Sequence, residues 1–107
     1  MPKFMVAANY SKEALAGILR DGGSSRTKVV QAMAESVGGR LESIYWALGD
    51  TDVYVIFDAD DAITAAAIAA KVGATGTSTR TTLLLTADDV DAMAAKSQGV
   101  EYSPPGS

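Results

Sequence analysis

Apolar positions along this 107-residue chain switch between two periods, and the switches mark out short elements. Residues 3–10 (KFMVAANY) form an apolar run free of glycine, which predicts a first strand. Ser11 then offers an N-cap oxygen, and Leu15, Ile18 and Leu19 follow at helical spacing. Asp21-Gly22-Gly23-Ser24-Ser25 interrupts this helix, after which Val30, Met33 and Val37 resume the period until Gly38-Gly39 ends it. Residues 11–37 thus read as one helical connection with a kink or break, suited to a crossover between parallel strands.

Residues 40–48 (RLESIYWAL) and 52–58 (DVYVIFD) predict two strands joined by a hairpin at Leu48-Gly49-Asp50-Thr51. Asp60 and Asp61 place negative charge at the start of the next helix, which runs to about Val72 with Ile63, Ala67 and Ala70 on one face. Gly73 and Gly76 end it, and residues 78–86 (STRTTLLLT) predict a fourth, β-branched strand. Thr86, with Asp89 three residues on, predicts a capped last helix. No repeat or linker divides the chain, so the reading is one domain over 1–97 and an extended tail over 98–107, rich in proline. The order β–α–β–β–α–β plus a final helix predicts an α+β, ferredoxin-like split βαβ layer.

Helices cover only one face of such a sheet, so the other should be polar at alternate positions. It is not. Val53, Val55 and Phe57 alternate with Tyr54 and Ile56, and Phe4, Val6 and Ala8 alternate with Met5 and Ala7. In the second strand Ile44, Trp46 and Leu48 are set against Leu41, Tyr45 and Ala47, and Leu83, Leu84 and Leu85 are consecutive. A second copy related by a two-fold axis is the simplest cover, which predicts a homo-oligomer and a dimeric α+β barrel. The plainer alternative folds the last helix and tail under the sheet.

Composition then narrows the chemistry. With no Cys and no His, the chain excludes thiolate metal sites, disulfides, His-ligated haem and a Ser-His-Asp triad. Nine Lys and Arg against 13 Asp and Glu give a net charge of −4 with no basic run, which argues against nucleic acid. The N-terminal residues lack the pattern of a signal peptide and no apolar run reaches membrane-spanning length, so the expectation is a cytoplasmic protein without a membrane partner.

Three sets of residues could carry function. Gly22, Gly23, Ser24, Ser25 and Arg26 form a glycine-rich entry to a helix, where free N–H groups favour an anion; a C-cap glycine pair followed by an N-cap serine is the favoured account of them. Asp50, Asp52, Asp58, Asp60 and Asp61 are oxygen-rich, but their spacing fits no calcium loop, so no metal and no cofactor is expected. Asn9, Tyr10, Tyr45, Trp46, Tyr54 and Arg80 could line a pocket between two facing sheets and hold a small apolar or aromatic molecule. Such a pocket suits a binding protein or a cofactor-independent monooxygenase or isomerase; if the aromatics only fill space, an assembly module remains.

The hairpin Leu48-Gly49-Asp50-Thr51-Asp52-Val53-Tyr54-Val55-Ile56, preceded by Gly38-Gly39-Arg40-Leu41-Glu42, resembles the GYD-domain family of small bacterial proteins. Gly22-Gly23-Ser24-Ser25-Arg26, Thr81-Thr82-Leu83-Leu84-Leu85-Thr86 and the Tyr102…Pro104-Pro105-Gly106 tail are similar to the same pattern, so the likeness spans nearly the whole chain. Gly49, Asp50 and Asp52 stand in the motif, with Thr51 where the family's Tyr is expected. The resemblance implies a dimeric α+β barrel and no particular reaction.

Overall fold

The computed structural model describes residues 1–106, so Ser107, the end of the expected tail, lies outside the described residues. Its elements are β1 (Lys3–Asn9), α1 (Lys12–Ser36), β2 (Arg40–Trp46), β3 (Val53–Asp58), α2 (Ala62–Gly73), β4 (Ser78–Leu84) and α3 (Ala87–Ser97). The strands lie in the order β2-β3-β1-β4 with every neighbouring pair antiparallel. This is the ferredoxin-like α+β fold with an added C-terminal helix.

The two helical segments expected on either side of Asp21–Ser25 form one run, α1, broken at Gly22 with φ 83 and ψ 171. That backbone region is open to glycine alone, which is why the break falls there. Ser11 caps α1 by accepting from the Ala14 amide, and Asp61 caps α2 by accepting from Thr64. Thr86 and Asp89 form the reciprocal capping box at the start of α3.

The core lies between the sheet and α1 and α2. Phe4, Val6 and Ala8 of β1 pack with Val53 and Phe57 of β3 and with Ala65 and Ile68 of α2. Three sequence expectations change here. A bulge between Leu41 and Ser43 lets Leu41 pair with Phe57, on the same face as Ile44, where simple alternation puts it on the opposite face. In α2 the buried residues are Ala65 and Ile68, while Ile63 is 78% exposed. Because α2 is apolar nearly all round, its pattern does not select a face. Leu48, expected in the second strand, lies beyond the end of β2 and is fully exposed.

On the open face, Asp58 at the end of β3 is buried and ion-paired on both sides. Lys3 Nζ lies 2.9 Å from one carboxylate oxygen and Arg40 Nη2 3.2 Å from the other, while Lys3 also reaches Glu42 at 2.6 Å. The Lys3 hydrogen bond, with help from Arg40, holds the Asp58 carboxyl below its usual range despite burial. A lowered folded-state pKa stabilises above the unfolded value and is lost as pH falls through the folded one. Asp58→Asn is therefore expected to cost on the order of 1 kcal/mol at pH 7, given the exposure of Arg40. The difference from wild type in urea denaturation should shrink as pH drops below about 4. A gap that is constant down to pH 2 would contradict this role.

The rest of that face is half-open. Tyr45 is 69% exposed, Tyr54 is partly exposed, and Met5 and Ile56 are half-buried between them and β4. The final helix does not cover it: α3 has no buried residue. The alternative in which the last helix folds under the sheet is thereby overturned.

Candidate functional site

Helix α1 lies toward β2 and α2 toward β4, and although Ala65 and Ile68 of α2 pack on β1 and β3, a space remains between the two helices. The space between the helices is a cleft of about 450 Å³. Its floor is Val6, Ala8, Val53 and Val55, and its walls carry Val29, Val30 and Met33 from α1 and Ile68 and Val72 from α2. The small residues of its lining are Ala14, Gly17, Gly22 and Ala34 of α1 and Ala69 of α2. Protein interiors normally close such voids, and this volume falls in the range of small-molecule sites, about 300–1,000 Å³.

The cleft is polarised along its length. Phe57, Met33 and Ala34 lie at the end where β1 begins, and the pairing of Phe4 with Phe57 fixes that end. At the other end, where β1 stops and β4 starts, Tyr10, Ser25, Arg26, Thr77 and Thr79 line the wall. Trp46 Nε1 donates to the Tyr10 hydroxyl at 2.8 Å, leaving the phenolic proton free to donate. Burial pushes the Tyr10 phenol up, opposed in part by the Trp46 hydrogen bond. Asp21 also faces the cleft, and its hydrogen bond from Arg20 holds the carboxyl below its usual range.

Beside this polar end the β2–β3 hairpin is clasped to the sheet. Asp52 accepts from the Tyr10 amide through Oδ2 at 2.9 Å and donates its own amide to the Ala8 carbonyl. Asn9 Nδ2 donates to the Asp50 carbonyl at 2.7 Å. Arg80 Nη2 donates both to Asn9 Oδ1 and to Thr51 Oγ1, each at 3.0 Å. One loop is thus tied to the ends of β1 and β4.

A family model described as GYD domain matches residues 4–94. The chain belongs to the GYD domain family. No curated protein matches it, and no solved structure does. The clasped hairpin lies within the matched residues. Asp52 there is a joint between β1, β3 and the start of α1, and Asp50 contributes through its carbonyl. Thr51 accepts a hydrogen bond from Arg80. Gly49 has open space where a side chain would stand.

Strand parity divides the six aromatic and polar candidates of this GYD protein. Tyr10 and Trp46 meet at the polar end of the cleft. Tyr45, Tyr54 and Arg80 lie in one row across the open face, linked through the pairings Tyr45–Tyr54, Ala7–Tyr54 and Ala7–Arg80. Asn9 joins Arg80 at the hairpin. A Tyr does stand beside Trp46, but Arg80 belongs to the other side of the sheet. Of the glycine-rich set, Gly23 lies beneath the Trp46 ring and its carbonyl accepts from Thr27. Ser25 and Arg26 line the cleft, and Ser24 is exposed.

Each aspartate is found in a local role or alone. Asp58 is ion-paired, Asp61 is an N-cap, and among the described residues no three potential metal ligands converge. Among them, too, no helix is long and apolar enough to cross a membrane. The aliphatic lining from Val29, Ile68 and Val72 has no motif of its own in the sequence.

Proposed function

We propose that this GYD-family protein binds a small, largely apolar or aromatic molecule carrying one polar group, and does so as a cytoplasmic homo-oligomer. The cleft between α1, α2 and the sheet carries this reading: an apolar trough of ligand size with hydrogen-bonding groups gathered at one end. The space between two facing sheets, where the sequence points for such a ligand, needs a second chain; the cleft exists within one. The half-open row of Tyr45, Tyr54 and Ile56 supports self-association through the sheet.

Binding is favoured over catalysis by the state of the groups at the polar end. A cofactor-independent oxygenase or isomerase needs a base tuned toward neutral pH. Here burial pushes the Tyr10 phenol up, away from that range, and Asp21 is an exposed carboxylate tied to its neighbour Arg20. Tyr10 is suited to donate a hydrogen bond to the ligand's polar group.

Titration with 1-naphthol, followed by amide NMR, tests the site. Shifts are expected at Val53, Val55, Ile68 and Tyr10, and Ala69→Phe, which adds a ring at the cleft wall, should weaken binding at least tenfold without unfolding the chain. Shifts confined to Tyr45 and Tyr54, or none at millimolar 1-naphthol, would sink the proposal.

A further inference from the structure

Among the described residues, none of the C-terminal arm is buried against the rest of its own chain. Helix α3 buries nothing, yet Val90 and Met93 share one stripe along it, and Val100 and Tyr102 beyond it are each 68% exposed. A helix of eleven residues is marginal alone in water, however well Thr86 and Asp89 cap it. A groove of about 820 Å³ separates the arm from Met1, Pro2 and the end of β4, where Leu83 and Leu85 are also exposed.

The size of the exposed surface indicates the occupant. The chain presents 7305 Å² to solvent. A compact monomer of this mass presents about 5,600 Å². The surplus of about 1,700 Å² exceeds the roughly 800 Å² per partner of a stable interface. The radius of gyration agrees, at 17.1 Å with a long axis of 57 Å, where a compact chain of this length has about 13 Å. Arm and open sheet face are two unpartnered surfaces of one chain, and a two-fold exchange covers both at once. A lipid surface fits poorly, since Asp88, Asp89, Asp91 and Glu101 outnumber Lys96 on the arm.

We infer that α3 and the residues after it reach across to a second copy of this chain, each protomer holding the other with its arm. This rests on the self-association proposed above and adds to it where the arm goes. The chain has no cysteine, so Met93→Cys provides a single site for a nitroxide label. After subunit exchange with unlabelled, ¹⁵N-enriched wild type, the label should broaden a contiguous set of amides on the enriched copy. In the full-length chain, Val90→Asp with Met93→Asp should weaken association at least tenfold by sedimentation equilibrium. Neither side chain belongs to the core, so circular dichroism should lose no more than the contribution of α3. A dimer with undiminished association in the double variant and no intermolecular broadening overturns the arm exchange and leaves association through the sheet standing. A full-length chain that is monomeric at 100 µM overturns both, while the cleft reading is decided separately by 1-naphthol.

Discussion

Phe57→Ala is expected to remove about 3–5 kcal/mol of stability, a large part of the 5–15 kcal/mol available to a domain of this size. Phe57 is 3% exposed and stacks on Phe4 with ring centroids 5.8 Å apart and an interplanar angle of 27°. It also pairs across the sheet with Leu41, so it joins β2, β3 and β1 in one layer. Its loss adds a void at the apolar end of a cleft that is already open, on a central strand held by hydrogen bonds to both neighbours. The backbone therefore has little freedom to collapse inward, which puts the expected cost in the upper part of the range. Phe57→Leu keeps most of the volume and should cost roughly 1 kcal/mol. Urea denaturation of both variants checks the pair, and equal midpoints for the two would place Phe57 outside the core.

Gly39→Ala is the smallest substitution with a large expected effect. A methyl at this position would be driven into the carbonyl oxygen of Asp58 and would stand 3.1 Å from that of Ala34. Both are backbone atoms, so no rotamer change relieves the clash. The Gly39 amide also donates to Ala34 at 2.9 Å, which fixes the turn from α1 into β2 against the end of β3. Overpacking of this kind costs about 3 kcal/mol. For a chain of this length that corresponds to a fall in Tm on the order of 15 °C. Gly49→Ala is the comparison, because its Cβ would meet nothing within 4 Å. It should stay within about 0.5 kcal/mol of wild type. Similar melting of the two variants would mean that Gly39 is not closely approached.

The element order was readable because it depends on short-range signals that the structure keeps. The Thr86–Asp89 box, the Ser11 and Asp61 caps and the Gly22 break act within a few residues of themselves. The family likeness was readable for a related reason, since the hairpin motif is nearly contiguous. The face of Leu41 was not, because one bulged residue reverses the alternation and nothing in RLESIYW marks it. The buried side of α2 was not, because alanine on every side gives tertiary packing the choice. The cleft was hardest to see. It is made of missing volume between helices distant in sequence, and an absent side chain leaves no motif. Strand parity separated Tyr45 from Trp46, but the roles of Asp52 and Arg80 in the clasp depend on contacts 42 and 71 residues apart.

The position of β1 has a consequence for synthesis. It leaves the ribosome before every other element, yet it sits inside the sheet with β3 on one side and β4 on the other. Its register with β4 runs from Lys3 against Leu84 to Asn9 against Ser78. One edge of this apolar strand therefore waits for β3 and the other stays open until β4 has emerged. The strand that is made first is the last to be enclosed. Nascent chains halted before residue 78 should depend on holding factors more than chains halted after 84.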